Sequence, residues 1–375
     1  MFNSLSSIPN LRSKRILLRL DLNVPIQNGE IQDDYRIKRS QKTLDFLKNA
    51  GARTVIVAHI DKKEGASLAP VYEYLKKSIP VSFSNLADAP QREISDGEFL
   101  LIENLRNDPR EEANDEGFAR ELSALADVYI NEAFSVSHRA HASIVGVPKF
   151  LPSYAGFLFE EEVRHLSESF NPPRPFLFIL GGAKFETKMP LVEKFLKLAD
   201  YCFIGGALAN DFFKAKGFET GTSLVSKEKL DLKDFLENQK LSFPHDVLVS
   251  NDGASTVKKS EGVGKNDLIV DAGPETLKEL EKLISQSAFI VWNGPLGNYE
   301  KGFSKGTEEL AKLIASSRSR SVLGGGDTLA VVMKLGLLEK FSFVSTGGGA
   351  MLEFLANETL VGIKALEESA KLRNK

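Results

Sequence analysis

Short apolar runs alternate with amphipathic stretches along the whole chain. In the first half the runs are RILLRL at 15–20, TVIVA at 54–58, FLLI at 99–102 and VYIN at 128–131. Each is short and rich in Leu, Ile or Val, and reads as a buried strand. Between them lie stretches such as RIKRSQKTLDFLKNAG and DEGFARELSALA, whose apolar positions recur at helical spacing; the first stops at Gly51. Strands that alternate with helices need crossover connections, which are right-handed and build a mainly parallel sheet.

FLFEEEVRHLSESF at 157–170 reads as a charged helix, and NPPRP follows at 171–175. Three prolines in five residues remove backbone donors and favour extended chain, which marks a domain junction. Beyond it the rhythm changes. FLFIL runs into GGAK, YCFI into GGALAN, FIVWN into GPLG, SVL into GGGDT and FSFVS into TGGGAM. Each is a buried strand ending in glycine, where the backbone turns sharply and a ligand can approach main-chain N–H groups. Tight turns alone explain one or two such junctions. Five favour a nucleotide or phosphate pocket along the carboxyl edge of an open α/β sheet. None fits G-x-x-x-x-G-K-[ST], and no G-x-G-x-x-G follows a strand, which argues against a P-loop, a Rossmann dinucleotide site and a protein-kinase glycine loop.

A length of 375 residues exceeds one ordinary core and agrees with two domains. The balance of 42% hydrophobic and 26% charged residues is that of a soluble globular protein, and a net charge of -3 gives no sign of a nucleic-acid binder. No apolar run is long enough to span a bilayer, and MFNSLSSIPNLRSKR lacks the apolar core of a secretory signal. With one cysteine, Cys202, a reducing cytoplasmic setting is expected. Arginine is unevenly spread: 11 of 16 lie in residues 1–160, whereas 23 of 32 lysines lie beyond. The planar guanidinium suits bidentate grip on carboxylate or phosphate, although drift in surface composition would give the same counts.

Longer motifs then narrow the reading. RLDLNVP at 19–25, DDYRI at 33–37, IENLR at 102–106 and NEAFSVSHRAHAS at 131–143 lie in the first half. LGGAKFETK at 180–188, WNGPLGNYE at 292–300, GGGDT at 324–328 and VSTGGGAMLE at 344–353 lie in the second. In this order and at these separations the chain resembles the phosphoglycerate kinases. The resemblance implies an α/β fold of two Rossmann-like lobes, each a mainly parallel sheet flanked by helices, joined by a hinge helix. Residues 1–157 would form the phosphoglycerate-binding lobe, with 355–375 packing back on it, and 158–354 the nucleotide-binding lobe including the hinge helix. It also implies Mg2+-dependent, reversible phosphoryl transfer from 1,3-bisphosphoglycerate to ADP, giving 3-phosphoglycerate and ATP, with lobe closure. The chain would act as a monomer, with neither nucleic acid nor membrane as a partner. The alternative is a non-catalytic nucleotide- or phosphate-binding protein that retains the fold.

By the same resemblance, Asp21 and Asn23 hydrogen-bond the sugar acid, and Arg36, His59, Lys62, Arg106 and Arg139 form a positive grip, with Arg36 reaching the transferring phosphoryl group. Read alone, Asp21 and Asn23 could be a polar turn before Pro25, and Arg106 a surface partner of Glu103. His138 and His141 have the spacing of two zinc ligands, but no local cysteine or acid completes a site, so structural histidines are expected. In the second half, Lys184 and Lys188 would face one another across a turn if a helix begins near Ala183, a pair that repels unless an anion lies between. The resemblance assigns both to the nucleotide phosphates and the group in flight, with Gly325 and Gly326 completing the catalytic set. Gly205 and Gly206 would flank the adenine, and Asn293, Pro295, Gly297 and Glu300 would lie near the nucleotide. Gly324, Gly325, Gly326, Asp327 and Thr328 open a helix whose amino terminus is an anion site by its own physics. Asp327 could be only an N-cap; the resemblance makes it the magnesium ligand too.

The match is not uniform. Where the family usually reads SHLGRP, this chain has AHIDKKEG at 58–65, so Lys62 stands for an arginine and Asp61 for a glycine. A lysine lacks the bidentate fork and Asp61 adds negative charge near an anionic substrate, so a weaker grip on 3-phosphoglycerate is expected.

Overall fold

In the computed structural model, which describes residues 2–61, 66–183, 185–227 and 231–373 (of Glu186, Thr187 and Arg373 only the backbone), the strands assemble into two six-stranded parallel sheets. Each sheet belongs to its own unit. Met1–Arg164 with Asn357–Lys375 form the first, and His165–Ala356 the second.

The first sheet runs in the order Val81–Ser84, Phe99–Ile102, Arg53–Val57, Arg15–Arg19, Val128–Asn131, Ser153–Ala155, with every pair parallel. The central strands are apolar without strict alternation because helices cover both faces. Ile16, Leu18, Ile56 and Leu101 pack there with Leu44, Leu47 and Val71. The stretch read as one helix before Gly51 is two, Tyr35–Arg39 and Gln41–Asn49. They part at Ser40, whose hydroxyl donates to the Arg36 carbonyl at 3.3 Å in place of a continuing backbone ladder. The charged stretch at 157–170 is an α-helix over Phe157–Ser167 with a tighter last turn over Glu168–Phe170. At the other end of the chain, helix Val361–Arg373 lies within the first unit: Gly362 N–H donates to Ser137 O at 2.8 Å and Ser369 Oγ to Leu151 O at 3.1 Å.

The second sheet runs Leu241–Ser242, Tyr201–Ile204, Phe176–Leu180, Phe289–Asn293, Arg320–Gly324, Phe343–Val344, again all parallel. The five strands that end in glycine are thus consecutive neighbours, and parallel pairing puts all five turns on one edge. An antiparallel sheet that the apolar pattern did not announce accompanies it. Asp246–Asn251 lies between Ala254–Lys259 and Leu268–Ala272. Its hairpin turns through Asp252 and Gly253, both at positive φ (47° and 83°), as a two-residue turn requires. Among the described residues no helix is long and apolar enough to cross a membrane.

Candidate active site

Four neighbouring strands of the first sheet deliver charged groups to their shared carboxyl edge. Asp21 and Asn23 follow Arg15–Arg19, His59 follows Arg53–Val57, Arg106 follows Phe99–Ile102, and Arg139 follows Val128–Asn131. Arg36 comes from helix Tyr35–Arg39 and pairs with Asp21, whose same oxygen accepts the Ser135 hydroxyl. The other Asp21 oxygen accepts Asn23 N–H at 3.1 Å, and Asn23 Oδ1 accepts Asp61 N–H at 3.1 Å. Arg106 is buried and donates from Nη1 to Asp61 Oδ1 at 3.0 Å, with Glu112 at 3.5 Å from its Nε. Arg139 is exposed, and among the described residues it makes no ion pair. Lys62 lies outside the described residues.

His59 corrects an expectation. It stands where a cation was foreseen, but it is buried, and burial, reinforced by the charges of Arg19, Arg106 and Arg139, holds its pKa well below the usual imidazole range. Burial and the same arginines push His141 down to about 4. Both rings are neutral at pH 7, so the positive charge of this edge resides in its arginines. Arg19 Nη2 lies 3.0 Å from His59 Nδ1. A guanidinium can only donate, so Nδ1 accepts and His59 presents Nε2–H as a neutral donor.

Arg19 itself is a site residue that the sequence did not single out. It is fully buried, donates from Nε to Ser143 Oγ at 2.9 Å, and through that hydroxyl meets Glu111, which accepts Ser143 Oγ at 2.5 Å and Ser143 N–H at 2.9 Å. The only sequence signal was its place at the head of RLDLNVP.

The second unit holds a pocket of about 430 Å³ at the glycine edge. Gly206, Pro295, Gly297, Glu300 and Asp327 line it, as does Gly182. Three of the glycine turns interlock main chain to main chain: Gly181 N–H donates to Asn293 O at 2.8 Å, Gly182 N–H to Pro295 O at 2.7 Å, and Gly205 N–H to Leu180 O at 2.9 Å. Gly206 closes the group at φ +61°, where a Cβ would sit 2.5 Å from Gly182 N and 2.8 Å from Pro295 O. Lys188 lies on the first turn of helix Phe185–Leu198, and its buried ammonium donates to Gly181 O. Lys184 lies outside the described residues.

Gly205, Asn293, Gly324, Gly325, Gly326 and Thr328 do not line this pocket. Asn293 is buried against Met351, 3.7 Å from its sulfur, and a Cβ on Gly324 would strike the same sulfur at 2.0 Å. Gly325, at φ +102°, precedes helix Gly326–Lys334, whose first turn carries exposed Asp327 and buried Thr328. Among the described residues the Thr328 hydroxyl has no hydrogen-bond partner. Part of the wall was not foreseen: Thr222, Leu224 and Asp271 come from segments outside the motifs singled out in the sequence. Asn210 Nδ2 donates to Leu224 O at 2.9 Å, which ties that wall to helix Leu208–Ala215. Leu224 is 64% exposed, an apolar side chain left open at the mouth of a pocket.

A larger cavity, about 710 Å³, borders Arg15 and Arg53 at the amino edge of the first sheet. Those arginines are paired with Asp127 and Asp96, at 2.9 and 2.8 Å, and the glycine and arginine turns lie at the other edge. None of the candidate site residues borders this larger cavity.

A family model described as phosphoglycerate kinase matches residues 5–358. The chain belongs to the phosphoglycerate kinase family. A phosphoglycerate kinase of Borrelia garinii is 41% identical over 379 residues, covering 95% of this chain and 96% of that protein. One from a Roseiflexus species is 39% identical, covering 95% and 97%. Among solved structures, phosphoglycerate kinase from Coxiella burnetii is similar at TM-score 0.85 and 38% identity, covering 99% of this chain and 100% of that one. That from Pyrococcus horikoshii gives TM-score 0.86 at 31% identity with the same coverage. The chain is accordingly a kinase of glycolysis, a transferase whose substrates are 3-phosphoglycerate or 1,3-bisphosphoglycerate and ATP or ADP.

Proposed function

We propose that the first unit binds the three-carbon acid, the second binds the nucleotide, and the phosphoryl group passes directly between them without a phosphorylated side chain. The observation that carries this reading is the division of chemistry. An arginine-rich edge with neutral histidine donors suits a substrate bearing phosphate and carboxylate, whereas a glycine-walled pocket suits a nucleotide.

Arg36, Arg106, Arg139 and Lys62 would hold the anionic ends of the sugar acid, His59 would donate a neutral hydrogen bond, and Asp21 and Asn23 would accept from its hydroxyl. Arg36, already steered by Asp21, would follow the transferring group. Gly205, Gly206 and Leu224 would enclose the adenine, Glu300 would meet the ribose, and Asn293, Pro295 and Gly297 would shape the slot. Lys184, Lys188 and the N–H groups of Gly324, Gly325, Gly326 and Thr328 would neutralise the phosphates. Positioning and charge neutralisation supply most of the rate in phosphoryl transfer, and a carboxylate leaving group needs no general acid. Because acceptor and donor bind on different units, transfer requires the units to come together and exclude water.

Among the described residues no three His, Cys, Asp or Glu side chains converge as a metal site. Asp327, an exposed carboxylate on the pocket wall, fits magnesium, which rests on one or two carboxylates and the substrate's phosphates. Bound there by Asp327, the ion would screen the charge of the nucleotide phosphates. We also infer a cytoplasmic monomer, with neither nucleic acid nor membrane as a partner; the net charge of -3 supports the former exclusion.

The test is a coupled assay with 3-phosphoglycerate, ATP and magnesium, run beside Asp327→Ala. Turnover in the wild type that falls by about a hundredfold or more in the variant is expected. ATP binding without turnover in the wild type would instead favour the non-catalytic reading.

A further inference from the structure

Asp271 stands on strand Leu268–Ala272 of the antiparallel sheet and lines the second unit's pocket. It is 3% exposed, and among the described residues no cation contributes to its electrostatic environment. Its Oδ2 accepts Gly306 N–H at 2.9 Å, in the first turn of helix Lys305–Ser316, and its Oδ1 accepts Ala272 N–H at 2.9 Å. The carboxylate is wedged between two glycines. A Cβ on Gly306 would lie 2.4 Å from Oδ1, and one on Gly297 would lie 2.5 Å from it.

Gly297 belongs to the pocket wall, and its neighbours are tied to the same two elements. Asn298 N–H donates to Val270 O at 2.8 Å, and Leu296 N–H to Thr307 Oγ1 at 3.0 Å. The wall segment therefore hangs from Asp271's own strand on one side and from the helix that Asp271 caps on the other. A buried carboxylate without a cation is costly, and among the described residues the two N–H bonds and the helix amino terminus are what offset that cost. An apolar side chain would fill the same junction without the desolvation.

We propose that Asp271 is a positioning residue for the nucleotide: ionised, it locks the Gly297 segment against helix Lys305–Ser316 and thereby sets the pocket's grip. This rests on the reading of that pocket as the nucleotide site. Burial pushes the Asp271 carboxyl up to about 6, and Glu308 on the same helix adds to the rise. Glu300, Lys301 and Asp327 are the other charged groups on the wall. Protonation makes one oxygen a donor and a much weaker acceptor, so one of the two N–H bonds is weakened.

The experiment measures ADP affinity by calorimetry from about pH 5 to 8 in wild type, Asp271→Asn and Gly306→Ala, with the KM for 3-phosphoglycerate alongside. Ionisation of ADP itself is common to all three proteins and cancels in the ratio of affinities. At the upper end of this range the wild type binds ADP about tenfold more tightly than Asp271→Asn, the worth of roughly one charge-assisted hydrogen bond. That ratio falls toward one as pH drops through about 6, and the KM for 3-phosphoglycerate is unchanged at every pH. Gly306→Ala, which displaces the carboxylate without touching the pocket, shows the same nucleotide-specific loss and decides the matter if Asp271→Asn does not fold. A ratio of one throughout, a ratio that does not change with pH, or equal damage to both substrates overturns the role of Asp271 alone. A wild type that binds no ADP overturns the nucleotide pocket with it.

Discussion

Arg106 spends one arm of its guanidinium on Asp61, 3.0 Å away, at the edge where 3-phosphoglycerate is expected to bind. The arginine is 6% exposed in its side chain and the aspartate 76%, so the pair joins a fixed cation to a solvated anion. A substrate phosphate or carboxylate reaching Arg106 must displace Asp61 or share the arginine with it. The family's usual glycine at that position would present no such competitor.

Replacing Asp61 with glycine is therefore expected to lower the KM for 3-phosphoglycerate about threefold to fivefold, the worth of one exposed ion pair near 1 kcal/mol. The KM for ATP and kcat should stay within twofold, and the effect should shrink as salt is added. Stability should change little, since Glu112 remains 3.5 Å from Arg106. Initial rates at fixed ionic strength decide it; an unchanged or higher KM would mean that Asp61 does not compete.

Gly206→Ala tests how tightly the glycine turns are packed. The new Cβ would meet backbone atoms of Gly182 and Pro295, at 2.5 and 2.8 Å, in a residue held at φ +61°. Backbone cannot swing aside as a side chain can. We expect a loss of about 2 kcal/mol or more in unfolding free energy, together with weaker nucleotide binding. Denaturant titration would contradict this if the midpoint did not move.

How much of this was legible beforehand depends on the range over which each feature is determined. Strands such as Phe99–Ile102 and Val128–Asn131 declare themselves within a few residues, and the glycines after Phe289–Asn293 or Arg320–Gly324 mark turns by their own conformational freedom. Asp21, Arg106 and Arg139 were placed together by the parallel order of their strands. Arg19 was not legible as a site residue, because a lone arginine within an apolar run looks like a strand's solvent face. Its burial depends on Ser143, 124 positions away, and on His59, 40 away. Asp271 and Leu224 were missed for a related reason: they reach the pocket from the antiparallel sheet and its flanking segments, whose strands are partly exposed. Ala254–Lys259, at the sheet's edge, buries none of its residues.

Glu132 supplies a pH test independent of catalysis. It is buried, accepts the Thr43 hydroxyl at 2.5 Å, and accepts the N–H of Leu158 at 3.1 Å at the start of helix Phe157–Ser167. Burial outweighs these bonds and pushes its carboxyl from an ordinary 4.5 up to about 8. The folded state therefore holds a proton that the unfolded chain has released, and stability falls as pH rises from about 4.5 to about 8. Between pH 4.5 and 7 this group's share is on the order of 3 kcal/mol. In Glu132→Gln that slope should be absent, so the difference in unfolding free energy between variant and wild type should grow with pH. Parallel curves for the two proteins would show that Glu132 stays ionised when folded.

Thr328 separates structure from function by the sign of one substitution. Its hydroxyl is buried in the first turn of helix Gly326–Lys334 with no partner among the described residues, which costs about 1–3 kcal/mol unless something repays it. A nucleotide phosphate beside that helix would provide the partner. Thr328→Val keeps the shape and removes the oxygen, so the ligand-free protein should gain about 1 kcal/mol of stability. Nucleotide affinity should meanwhile fall about fivefold to tenfold, the worth of a hydrogen bond to a charged acceptor. Thermal unfolding with and without ADP reads both effects in one pair of scans, since at fixed ligand concentration the midpoint rises with the logarithm of affinity. A hydroxyl that merely packs would give no opposition between the two scans: the variant would lose stability alone and gain as much from ADP as the wild type does.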